Sequence, residues 1–152
     1  MKDRYPSDER WMQVALDLAA EAGAEGETPV GALVVSADGV PIGAGRERVR
    51  RTYDPAAHAE VEAIRAACDA TEGRHLSGAT LYTTVEPCVL CAYAVRATRI
   101  ARVVFGVGAG EVGSVDGLHP VLVDARFTGW GEPPEVVSGV LADACRERLE
   151  HR

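Results

Sequence analysis

Apolar residues fall along this chain in two alternating rhythms. Trp11, Val14, Ala15, Leu18 and Ala22 recur at helical spacing after Ser7 and a cluster of acids, which predicts an amphipathic helix that stops at Gly23 and Gly26. Then the rhythm changes. The apolar run VGALVVS (30–36), the turn pair Asp38–Gly39 and the run VPIGAGRE (40–47) predict two strands joined as a hairpin. Residues 48–55 carry no apolar period and read as a loop. A second helix is predicted from about Ala57 to Ala70, with Val61, Ile64, Ala67 and Cys68 on one face. ATLYTTVE (79–86) predicts a third strand, Cys88 to Thr98 a helix, and ARVVFGVG (101–108) a fourth strand. The Gly- and Pro-rich stretch 109–134 reads as a loop with a short helix, EVVSG (135–139) as a brief fifth strand, and 140–151 as a last helix. Strands alternating with helices predict a layered α/β domain, and the opening hairpin makes its sheet mixed.

Composition narrows this further. The chain has 152 residues, 47% of them apolar and 26% charged, enough for one domain with a hydrophobic core. Residues 1–152 read as a single domain, with no repeat, low-complexity tract or linker. No apolar run approaches the roughly 18 residues that span a bilayer. The first ten residues lack the apolar stretch of an export signal, so the expected location is cytoplasmic, with no membrane partner. A net charge of −7 disfavours an extensive nucleic-acid surface. Against that stands the run Arg46, Arg48, Arg50 and Arg51, which reads as a phosphate contact, a solvated rim or a partner for acids across a dimer interface. A chain of this size needs no disulfide staples. The close pair Cys88 and Cys91 therefore reads as metal-binding thiols, and Cys68 and Cys145, in helical patterns, as small buried residues.

The chemistry concentrates in two helix starts. His58 and Glu60 stand at one, Cys88 and Cys91 at the other, three residues apart and so on one face. A helix N-terminus favours thiolates. Two thiolates and an imidazole make three ligands for tetrahedral zinc and leave a fourth position for water, which zinc turns into a nucleophile near neutral pH. Glu60 is too close in sequence to His58 to ligate the same ion easily, yet can lie beside that water. There it can move a proton to a ring nitrogen and then to a departing amine. The pattern His58-Ala59-Glu60 followed by Pro87-Cys88-Val89-Leu90-Cys91 is the signature of zinc nucleobase deaminases. A closed structural zinc site, in a binding module without catalysis, is the rival reading; the three-ligand count and Glu60 speak against it. Glu111, after the fourth strand, is a candidate second proton-handling carboxylate. Trp130 and the helix near Leu141 are candidates to cover the pocket.

At these residues the chain resembles the cytidine and deoxycytidylate deaminase superfamily, in the branch of tRNA adenosine deaminases and bacterial guanine deaminases. The likeness runs through TPVGALVV, DPAAHAEVEAIRAA, LYTTVEPCVLCAYAV, RIARVVFGV and VVSGVLADAC, nearly the whole chain. The resemblance implies a three-layer α/β/α sandwich around a five-stranded sheet. It implies zinc held by His58, Cys88 and Cys91, with Glu60 as proton shuttle. It also implies a pocket lined by the backbone at Ala59 and the segment at Val30, and a homodimer with pockets near the subunit interface. Where the resembling enzymes commonly place a ring-binding asparagine, seven residues before Asp54, this chain has Glu47. An ionised Glu only accepts hydrogen bonds, so Glu47 is expected to select donor-bearing rings. The tRNA-acting members usually end in a longer basic helix, whereas CRERLEHR mixes acids and bases. The expected activity is hydrolytic deamination of free nucleobases or related amino-oxo heterocycles of guanine, isoguanine, cytosine or aminotriazine type. The alternative is adenosine-to-inosine deamination at the wobble position of tRNA, with tRNA the disfavoured partner.

Overall fold

In the computed structural model, residues 7–151 are described. Helix α1 (Asp8–Ala24) leads to strands β1 (Gly31–Val35) and β2 (Pro41–Arg46), a short helix α2 (Val49–Thr52) and helix α3 (Ala59–Thr71). Strand β3 (Thr80–Val85), helix α4 (Val89–Ala97), strand β4 (Arg102–Val107), strand β5 (Glu135–Val137) and helix α5 (Ala142–Glu150) complete the chain. The sheet runs β2-β1-β3-β4-β5. β1 is antiparallel to β2 and β3, while β3, β4 and β5 are parallel. The five-stranded mixed sheet expected from the sequence is the one observed.

Two apolar layers cover the sheet. Met12, Ala15 and Leu16 of α1 and Cys145 of α5 pack on one face with Leu33, Tyr82 and Val104. Ala59, Ala63, Ile64 and Ala67 of α3 and Ala92 and Val95 of α4 pack on the other with Val34, Leu81 and Val103. Covered on both sides, β1 and β4 are buried along their whole length, which is why their sequences read as continuous apolar runs rather than alternations.

Glycines set how closely α3 approaches. A Cβ on Gly45 of β2 would stand 2.3 Å from the Ala59 carbonyl and 2.4 Å from the Ala63 nitrogen. One on Gly43 would stand 2.3 Å from the Ala63 carbonyl. Glycine on the strand and alanine on the helix therefore let backbone meet backbone, and the contact at Ala59 seats the first turn of α3, next to His58. Gly45→Ala is expected to destabilise by about 1–3 kcal/mol or more through overpacking. For a chain of this size that is a fall of several degrees in melting temperature, accompanied by weaker zinc retention. Gly73→Ala, whose Cβ would meet nothing closer than 3.9 Å, should be near neutral in the same melting experiment.

Three features escaped the sequence pattern. Residues 49–52 form α2 rather than loop because the buried carboxylate of Glu27 accepts the Arg50 and Arg51 amides at 2.9 and 2.7 Å, capping the turn from outside. Asp8 is not only a first-turn acid. It accepts both terminal nitrogens of Arg102 at 2.9 and 2.6 Å and the Tyr82 hydroxyl at 2.8 Å, a buried tie between α1 and the sheet. Cys145 is buried as expected, but Cys68 is only half-buried. Among the described residues no helix is long and apolar enough to cross a membrane. The segment read for an export signal lies largely outside the described residues.

Candidate active site

The site forms at the carboxyl end of β3, where parallel neighbours leave a crevice. His58 is the N-cap residue of α3 and Cys88 that of α4, and neither side chain caps its own helix. Both project instead to a common point. His58 Nδ1 lies 3.5 Å from Cys88 Sγ and 3.4 Å from Cys91 Sγ, and the two sulfurs are 3.8 Å apart. A tetrahedron with zinc–sulfur bonds of about 2.3 Å and zinc–nitrogen bonds of about 2.0–2.1 Å has S···S edges of about 3.8 Å and S···N edges of about 3.5 Å. The three donor atoms thus already stand at the corners such an ion requires. They are the one His/Cys/Asp/Glu cluster of ligand geometry among the described residues.

The protons of this cluster are poised for exchange with a cation. The Cys88 thiol is brought down to about 4, first by the hydrogen bond from the Cys91 thiol and, against burial, by His58. The same bond and burial hold the Cys91 proton far above the ordinary thiol range. The Cys88 thiolate raises His58 to about 9. A divalent ion held by His58, Cys88 and Cys91 would take the place of these protons, with two thiolates and a neutral imidazole as its ligands. Glu60, in the first turn of α3, is 5% exposed, and burial raises its carboxyl to about 7. A carboxyl near neutrality can both take and return a proton.

The expected pocket walls come together as well. The Glu47 amide donates to the Val30 carbonyl at 3.2 Å, and its carboxylate Oε1 accepts the Ala59 amide at 3.2 Å. Val30, Glu47 and Ala59 are thus one connected edge. Glu47 supplies the first turn of α3 with the acceptor that His58 does not, and burial raises its carboxyl above the usual range. Glu111 is exposed and lines a cavity of about 330 Å³ with Cys88, Val89, Leu90, Leu118 and His119. The two expected covers stand on different faces of the sheet. Trp130 stacks on Phe127 and meets Tyr93 of α4 edge-on. It lines a neighbouring cavity with Val89, Leu118 and His119. Leu141 packs into the α1 layer, on the opposite face of the sheet from α3 and α4.

The arginine run is mostly committed to the protein. Arg46 pairs with Glu25 at 2.6 Å and with Glu21 at 3.8 Å, Arg51 pairs with Glu25, and Arg50 donates to the Gly26 carbonyl at 3.2 Å. The Arg48 guanidinium has no such partner among the described residues, and its Nε is buried without one. Sequence reasoning also passed over Glu86 and Arg96. Buried Arg96 donates to the carbonyls of Val121, Asp124, Phe127 and Gly131, pinning the long loop to α4. An Arg in an otherwise apolar helix face was the available signal.

An open three-ligand metal corner beside a buried carboxylate, on this sheet, defines a zinc-dependent hydrolytic enzyme. The chain belongs to the family described as the cytidine and deoxycytidylate deaminase zinc-binding region, whose pattern matches residues 6–107. It is 38% identical over 148 residues to a tRNA-specific adenosine deaminase of Haemophilus influenzae, covering 97% of this chain and 84% of that one. Among solved structures, one from a study of A-to-I editing by tRNA:A34 deaminases at the wobble position superposes with a TM-score of 0.81 at 36% identity, covering 91% of this chain and 98% of the other. A guanine deaminase from Nitrosomonas europaea superposes with a TM-score of 0.78 at 27% identity, covering 93% of this chain and 82% of the other.

Proposed function

We propose that this chain deaminates adenosine to inosine in tRNA at the wobble position. The observation that carries the reading is its 38% identity to a tRNA-specific adenosine deaminase over 97% of its length, so that both helix starts and the pocket loops fall inside the match. This corrects the sequence-based expectation of a free nucleobase of amino-oxo type. Guanine deaminases match over less of the chain or at lower identity, one of Bacillus subtilis at 38% over 66% of this chain and the Nitrosomonas europaea one at 27% over 93%, against 36–38% over 91–97% for the tRNA-acting proteins.

In this reading His58, Cys88 and Cys91 hold zinc, which when bound supplies a Lewis acid that activates water in the fourth position. Glu60 takes one proton of the attacking water and delivers it to N1 of the adenine ring, then takes the proton of the hydroxyl formed at C6 and passes it to the amine, which leaves as ammonia. Val30 and the Ala59 backbone orient the ring, with Glu47 on the same edge. Glu111, on the wall of the cavity beside Cys88, is the candidate second carboxylate for handling the proton. Arg48 is the loop guanidinium left for a phosphate. The exposed apolar side chains Val89, Leu90 and Tyr93 of α4, with Leu118, support a second copy as partner in a homodimer.

The test is a screen of an anticodon stem-loop with adenosine at the wobble position, free adenosine, guanine and isoguanine. Inosine should form in the RNA, with a rate that falls steeply as salt rises because phosphate contacts release counterions. Ammonia release from free bases without any inosine in RNA would overturn the reading.

A further inference from the structure

We infer that Glu86 is a positioning residue: its carboxylate fixes the wall loop 108–118 and joins that wall to the metal-ligand turn at Cys88. Glu86 follows β3 directly, and its amide donates to the Val107 carbonyl at the end of β4 at 2.7 Å. The side chain is 2% exposed. Oε1 accepts the Ala109 amide at 3.0 Å, and Oε2 accepts the Val115 and Asp116 amides at 2.8 and 2.9 Å. A buried carboxylate filled by backbone donors holds both ends of the intervening loop at once.

The loop is cut to fit that anchor. A Cβ on Gly113 would stand 2.3 Å from the Glu86 carboxylate carbon and both oxygens, so only glycine lets the chain pass there. Gly113 bridges to Cys88, and Ser114 donates its amide and its hydroxyl to the Pro87 carbonyl at 2.9 and 2.6 Å. Every contact therefore lands on residues 86–88, the turn that carries a zinc ligand. On its outer side the same loop presents Glu111, Val112 and Leu118 to the cavity beside Cys88. The wall that meets substrate and the turn that meets metal are consequently one rigid piece. The inference rests on the tRNA reading only for its choice of substrate.

Glu86→Gln keeps the shape but turns an amide donor toward backbone donors. Gly113→Ala pushes on the same anchor with Glu86 intact, and Ser114→Ala removes one hydroxyl bond as a milder version. Each zinc-loaded full-length variant is compared with the parent by hydrogen exchange, zinc content, and KM and kcat on the stem-loop. For Glu86→Gln and Gly113→Ala, amides of 109–118 should exchange about ten- to a hundredfold faster, while β3 and β4 stay protected. Zinc should remain at one per chain, and KM should rise more than kcat falls. Ser114→Ala should shift in the same direction by less. Exchange that speeds up uniformly across the chain, or stays unchanged in the loop, overturns the inference, as does a loss in kcat alone. If Glu86→Gln and Gly113→Ala do not fold, Ser114→Ala decides by the same measures. A parent chain inactive on RNA would sink the functional reading, while loop exchange still judges the anchor.

Discussion

Glu60→Gln should abolish turnover while leaving the protein folded and zinc-loaded. A positioned general acid–base typically contributes about 10²–10⁴ in rate, and Gln preserves the shape of Glu while removing the proton it moves. Stability should follow the opposite trend. Burial holds the folded Glu60 carboxyl at about 7, above its unfolded value. The folded state therefore binds this proton more tightly, and the group disfavours folding as pH rises through that window toward 7 and beyond. In metal-free protein at pH 8, Glu60→Gln should melt at the same temperature as the parent or higher, a case of a strained site retained for function. The checks are single-turnover inosine formation, metal analysis and melting curves with and without chelator. A variant within tenfold of the parent rate would falsify the assignment of Glu60.

Cys91→Ala should lose zinc and stability together. The Cys91 side chain is fully buried beside His58 and Cys88, and an ion held by the three would link the starts of α3 and α4. Ligand geometry of this kind exists only in the folded chain, so the free energy of metal binding is in part free energy of folding. The parent should therefore melt at a markedly lower temperature after chelation. Cys91→Ala should melt low from the outset and show no further response to chelator. Cys68→Ala, on the far part of α3, is the control: it should keep one zinc per chain and the parent's chelator response. A full zinc equivalent in Cys91→Ala would show that the three-ligand site is wrongly drawn.

The correction over substrate has a physical origin. Net charge is a sum over the whole chain, and −7 says little about a few contacts to an RNA stem-loop at one edge. The arginine run left several readings open, and for Arg46 and Arg51 the fold decides for pairing within the chain, with Glu25, which stands more than twenty residues earlier. Neither term can be resolved by reading the chain in order.

What the sequence determined by itself is what depends on neighbours within a few residues. Helical spacing placed Cys88 and Cys91 on one face and His58 and Glu60 in one turn, because such geometry follows from 3.6 residues per turn. Continuous apolar runs marked β1 and β4, because strands covered on both faces admit little else. Only the tertiary structure decided the rest. The starts of α3 and α4 converge because Gly43 and Gly45 let α3 settle on β2 while the parallel crossover from β3 carries α4 beside it. Glu27, Glu47 and Glu86 look in sequence like ordinary loop and strand-end acids. In the fold each becomes an acceptor for backbone amides brought from 12 to 30 residues away. Backbone amides carry no side-chain signature, so a carboxylate that binds them cannot be recognised until the chain has brought them together.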